Sequence, residues 1–145
     1  MTLRNRLVGT LLGSMLVLTG CGVSAATPPD ERPSTLEAVP GSDVQKVVLT
    51  ESAEEAVGIR TAAVTPAPAA GGLVLPYGAV LYYLDGSTWT YTETAPRTYL
   101  RVPITVASIT GDTANLTAGP PVGSEVVVTG STELLGAELR IDGEQ

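Results

Sequence analysis

Cys21 is the one cysteine among 145 residues, so no intrachain disulfide can form and its thiol is left free for covalent modification. Little else in the chain could make or break bonds. Histidine is absent, and both methionines, Met1 and Met15, lie before residue 21. From residue 21 onward this excludes a His-based acid/base relay or triad, a zinc site of the usual His or Cys type, and a Met-rich copper site. Lys46 is the sole lysine, and no neighbouring motif supports Schiff-base chemistry. Carboxylates remain. Asp85, Glu93, Asp112 and Glu125 could contribute a pair flanking a sugar, a chemistry in which the separation of the two groups decides the outcome. Asp85 and Asp112 stand in Asp-Gly and Gly-Asp pairs, however, where turn formation is the stronger reading. No stretch clusters Asp and Asn at alternate positions as a calcium loop requires. The expectation is a non-enzymatic protein without metal or cofactor.

The surroundings of Cys21 give its thiol a purpose. Arg4 and Arg6 precede an apolar stretch from Leu7 to Leu18, and small residues lead into the cysteine. This is the pattern of a signal peptide, and it falls short of the ~20 residues a membrane-spanning helix needs. Leu18-Thr19-Gly20-Cys21 resembles the lipobox of bacterial lipoproteins. The resemblance implies cleavage between Gly20 and Cys21 and attachment of a diacylglycerol to the thiol; an ordinary signal peptide or a signal anchor with an incidental cysteine is the alternative. Loss of residues 1–20, with Arg4 and Arg6, moves the formal net charge from −7 to −9. So acidic a chain has no electrostatic footprint for nucleic acid and is repelled by anionic lipid. Its expected contact with the membrane is the covalent lipid, each buried methylene of which adds ~0.8 kcal/mol.

The rest divides by composition. Residues 21–44 carry Pro28, Pro29, Pro33 and Pro40 without a periodic apolar pattern, which predicts a disordered tether with a reach of roughly 25 Å. Residues 45–65 predict strand, helix, strand: QKVVLT, ESAEEAVG and IRTAAVT. Thr50 or Ser52 can cap the helix, Glu55 can complete a capping box with Ser52, and Gly58 ends it. Acidic Glu51, Glu54 and Glu55 suit a helix N-terminus for dipole reasons alone. Pro66 to Gly72 read as a small-residue linker. Residues 73–139 predict a β domain, with residues 140–145 as a tail. Within it Asp85, Gly86 and Ser87 form a turn before the alternating run TWTYTET, a hairpin signal. Leu100, Val102, Ile104 and Val106 alternate with Tyr99, Arg101, Pro103 and Thr105; Pro103 predicts an edge position or an outward-facing donor site. Gly111 and Asp112 make the next turn, ANLTA is extended, and GPPVG leads into SEVVVT. The fold class expected is mainly β: a small antiparallel, sheet- or barrel-like domain with one or two short helices. Phe is absent, so Val, Leu and Ile must fill the core.

Two segments together resemble the periplasmic adaptor subunits, or membrane fusion proteins, of RND-type efflux pumps. Val47 to Val64 is similar to their opening strand, short acidic helix and Gly-Ile step. Leu73 to Glu138 is similar to their membrane-proximal domain: Leu75, Pro76, Ala79 and Val80 match its first strand, and Asp85 and Gly86 its hairpin turn. Gly119 to Gly123, Val126 to Val128 and Gly130 match the closing turn, strand and glycine before a small helix. Pro66 to Gly72 stand where adaptors carry a lipoyl-like domain, a helical hairpin and a β-barrel, and Pro120 and Pro121 replace apolar and basic residues. The resemblance implies that both segments join in one β module without the parts that bridge to an outer-membrane channel. It implies a lipid-anchored accessory or truncated adaptor at the extracytoplasmic membrane face, partnered by an RND or ABC efflux transporter subunit. The alternative is a small ligand-binding or structural cell-envelope lipoprotein. Tyr82, Tyr83, Trp89, Tyr91 and Tyr99 are the candidate contact residues, since Tyr and Trp favour interfaces; alternate members of such a series also face a core.

Overall fold

Short runs of β-branched residues punctuated by Gly, Pro and Asp become strands throughout residues 32–68 and 71–140, the part that the computed structural model describes. Cys21, the signal segment, residues 21–31 of the expected tether and residues 141–145 lie outside it. In chain order the elements are β1 (Ser34–Ala38), β2 (Gln45–Leu49), α1 (Glu51–Val57), β3 (Arg60–Ala63), β4 (Thr65–Pro66) and β5 (Leu73–Pro76). After a 3-10 turn at Tyr77–Ala79 come β6 (Leu81–Tyr82), β7 (Thr88–Ala95), β8 (Thr98–Thr110), β9 (Thr113–Ala118), β10 (Glu125–Thr129) and α2 (Ser131–Leu139). The protein is mainly β with two short helices, and every registered strand pair is antiparallel.

The sheet bends almost fully round on itself. Its order runs β3, β10, β7, β8, β9, β5, β4, and β3 and β4 are one length of chain with Val64 at the bend. One strand segment therefore supplies both ends of the sheet. Val64 holds the seam: its N–H donates to the Ser124 carbonyl and its carbonyl accepts from the Gly123 N–H, each at 2.9 Å. The β10–β7 side is the looser one, with a single registered pair, Val126 and Thr92. The two ends of the expected linker belong to this sheet: Pro66 of β4 pairs with Leu73 of β5, and next to them the Ala67 N–H donates to the Gly72 carbonyl at 2.9 Å.

The two segments separated in sequence share this sheet. β2 pairs with β8 through Lys46–Leu100, Val47–Tyr99 and Val48–Thr98, and β3 pairs with β10. β8 is consequently not an edge strand. It lies against β7 along one side, and on the other against β2 at Thr98–Leu100 and β9 from Thr105 onward. Pro103 falls in the interval between those two partners, where a missing donor leaves no ladder bond unmade.

The expected tether is corrected at its C-terminal end. Ser34–Ala38 form β1, in register with Leu49–Gln45 of β2. Leu36 packs against the second core, a burial that no local periodicity announced. Of the two expected helix caps one is realised, and the capping box is corrected. Thr50, not Ser52, is the N-cap and its hydroxyl accepts from the Ala53 N–H at 3.2 Å. The third helical position is then Ala53, so no capping box forms. Gly58 ends α1 as expected, in the left-handed region at φ 70°.

Two apolar clusters result, one on each face of the curved sheet. Val64, Leu75, Ala79, Ile104, Ala114, Leu116 and Val126 fill the barrel. Val47, Leu49, Tyr91, Tyr99, Val127 and Leu134 pack beneath β1 and the two helices. This explains the uninterrupted Val126-Val127-Val128: alternate members face different cores, so both faces of β10 are buried. α2 contributes one side, with Ser131, Leu134 and Glu138 buried at helical spacing.

Candidate functional site

The helix-covered face of β7 and β8 gathers most of the polar chemistry. Cross-strand pairing sets Trp89 opposite Pro103, Tyr91 opposite Arg101 and Glu93 opposite Tyr99. Because side chains alternate, Trp89, Tyr91, Tyr99 and Arg101 share one face while Thr90 and Thr92 turn inward. α2 then lowers Glu138 onto this face. Its carboxylate accepts from the Arg101 guanidinium at 3.0 Å and from the Tyr91 hydroxyl at 2.5 Å. The ion pair is 10% and 4% exposed at its two side chains, so it is shielded from salt and water.

The guanidinium is also held between two rings. Its central carbon lies 4.8 Å from the Tyr83 ring centroid and 4.7 Å from that of Trp89, within cation–π range. Trp89 is itself fixed, its indole N–H donating to Ser87 Oγ at 2.8 Å, and Ser87 donates to Asp85 Oδ1 at 2.6 Å. A continuous polar chain thus runs from the β6–β7 turn through Asp85, Ser87, Trp89, Arg101 and Glu138 to Tyr91. The two bonds from Ser87 hold the Asp85 carboxyl below its ordinary value. Arg101 Nε is buried without an acceptor among the described residues.

α1 is tied down by the same device. The Tyr99 hydroxyl donates to Glu54 Oε1 at 2.5 Å. Burial, and then the neighbouring carboxylate, pushes both phenols up: Tyr91 beside Glu138 and Tyr99 beside Glu54. They stay protonated donors at neutral pH. Such groups anchor helices; they are poor bases and poor nucleophiles.

The five candidate contact residues separate into three environments. Tyr91 and Tyr99 have no exposed surface, and they are corrected from contact residues to core because their faces of β7 and β8 lie under the helices. Tyr83 and Trp89 are half-buried around Arg101. Tyr82 is 57% exposed, with Tyr77 edge-on at 6.5 Å. Beside it Leu84 stands fully exposed in the β6–β7 turn. Tyr77 and Leu84 were not anticipated; the run Tyr82-Tyr83-Leu84 directly before an Asp-Gly turn was the available signal. Arg101 was visible as part of the alternation, but its partner Glu138 lies 37 residues away and no local pattern joins them.

Of the candidate carboxylates, Asp85 and Asp112 stand in separate turns, while Glu93 on β7 and Glu125 on β10 each adjoin the Thr92–Val126 pair that joins those strands. Among the described residues, no group of three or more His, Cys, Asp or Glu could hold a metal ion, and no helix is long and apolar enough to cross a membrane. Cys21 and Gly20 lie outside the described residues. Compared with known families, with characterised proteins and with solved structures, the chain matches none.

Proposed function

We propose that this chain is a lipid-anchored, non-enzymatic accessory protein that holds an adaptor-like membrane-proximal β module against an efflux transporter at the extracytoplasmic membrane face. The observation that carries the reading is the joint sheet: β2 and β3 from the first adaptor-like segment pair with β8 and β10 of the second. A chain that had merely lost the middle of an adaptor needs this joint sheet in order to fold, and the paired ends of β4 and β5 flank the point of excision.

The β6–β7 turn is the contact surface in this reading. Tyr82, Tyr77 and Leu84 present apolar area to solvent. Behind them the clamp of Tyr83, Trp89 and Arg101 keeps the turn rigid, which lowers the ordering cost of binding. Membrane attachment comes from acylated Cys21. The test is recovery of partners from membranes at native expression, using the full chain with a C-terminal tag. A transporter subunit is expected with the wild type. Tyr82→Ala combined with Leu84→Ala should cut its recovery by tenfold or more, on the order of a hot-spot loss, while leaving the thermal midpoint unchanged. Recovery of no transporter subunit, or equal recovery by the double variant, would defeat the reading. Cys21→Ala should release the protein from membranes.

A further inference from the structure

On the far side of the sheet from the barrel core, β1, α1 and α2 border two open-sided cavities of about 410 and 470 Å³. Each lies in the size range of small-molecule sites, ~300–1,000 Å³. Pro33, Ser34 and Ala137 line both, so the two lie side by side along one surface groove between β1 and α2. Its two ends differ in chemistry. One is walled by Leu49, Ala53, Val57 and Leu134, with Glu133 at its rim. The other opens between Arg32 and Arg140, with the Ser34 and Thr35 side chains beside them.

The charge placement singles this groove out. The described basic residues are Arg32, Lys46, Arg60, Arg97, Arg101 and Arg140, in a chain of net charge −7, and two of them meet at one cavity. Arg140 is held there by the end of α2: it caps the helix at φ 51°, its N–H donating to the Ala137 and Gly136 carbonyls. An apolar trough with guanidinium groups at one end and a carboxylate at the other orients a ligand. A hydrocarbon chain gains by leaving water along the trough, and an anionic head gains charge-assisted hydrogen bonds at the arginines. A cationic head would meet repulsion at the same place.

We propose that this groove binds a single-tailed anionic amphiphile of the fatty-carboxylate class, tail along Leu49, Ala53, Val57 and Leu134 and head against Arg32 and Arg140. The site shares no residue with the Tyr77, Tyr82 and Leu84 surface, so it stands or falls separately from transporter contact.

The test titrates the full chain with laurate below its micelle threshold, by calorimetry, against dodecyltrimethylammonium, which has the same tail length and the opposite head charge. Saturable laurate binding is expected, with the cation weaker by about tenfold or more, as losing charge-assisted bonds implies. The double variant Arg32→Gln, Arg140→Gln should lose that preference at an unchanged thermal midpoint, since both side chains are exposed. Absence of saturation, equal affinity for the two amphiphiles, or an unchanged preference in the double variant would each overturn the proposal. So would laurate binding by Cys21→Ala but not by the lipidated chain, which would make the protein's own acyl group the occupant.

Discussion

Arg101 has no spare solvent to fall back on: a carboxylate in front, a ring on each side, and an Nε without a partner. Removing one member of such a pair costs more than the pair contributes, because the other charge stays buried. Arg101→Met is therefore expected to destabilise the protein by about 3–5 kcal/mol in urea titrations. Adding Glu138→Met should restore a large part of that loss, a coupling read directly from the double-mutant cycle. No recovery would mean that Glu138 anchors α2 through Tyr91 alone. Thr90 is the opposite case. It is fully buried, and its hydroxyl has no partner among the described residues. Thr90→Val keeps the shape and removes the unsatisfied group, so stability should rise by about 1 kcal/mol or more; a loss would indicate a partner such as bound water.

At the scale of elements, the junction of β10 and α2 is the tightest constraint. Gly130 precedes α2 at φ 92°, where an L side chain is strained. A Cβ there would also come within 2.4 Å of Ile59 Cδ1 and 2.8 Å of Val57 Cγ1. The end of α1 and the start of α2 are thus packed against each other across a missing side chain. Gly130→Ala should cost about 2–4 kcal/mol, combining backbone strain with overpacking. Gly86→Ala is the control: its φ is 82° but nothing lies within 4 Å of the added carbon, so only the strain remains. Comparable thermal midpoints for the two variants would show that Val57 and Ile59 yield freely. The β7–β8 turn stores a smaller strain, with Arg97 at φ 58° after Pro96 and its carbonyl accepting from the Leu49 N–H at 2.9 Å.

For the whole molecule, the two tyrosine–glutamate ties give stability a definite pH limit. Burial, reinforced by Glu138 and Glu54, raises the Tyr91 and Tyr99 phenols above their ordinary value of 10.0. The unfolded chain therefore gives up these protons first. Their contribution is complete below about pH 10 and is lost as pH rises beyond it, at up to about 1.4 kcal/mol per pH unit for each phenol. Urea midpoints should stay level with respect to these groups through neutral pH and fall steeply above about 10. Tyr91→Phe with Tyr99→Phe should lower the plateau but flatten the alkaline fall. A fall of the same slope in the double variant would assign alkaline unfolding to other groups.

What the sequence determined was local. Asp85-Gly86-Ser87 and Gly111-Asp112 turn where they do, Gly58 stops a helix, and Thr against Trp89 and Tyr91 alternates as a strand, because each depends on backbone conformations or spacings within a few residues. The mainly β class followed from the same signals. The tertiary structure decided whatever required a distant partner. Ser34–Ala38 became a strand only because β2 offered an edge, and Thr65–Pro66 became a strand only because β5 lay beside it. Tyr91 and Tyr99 went inside while Tyr82 stayed out, since the helices cover one face of β7 and β8 and a sequence carries no label for which face that is. Arg101 found Glu138, and the groove acquired its two arginines, through contacts between residues far apart in the chain, which composition and periodicity cannot encode.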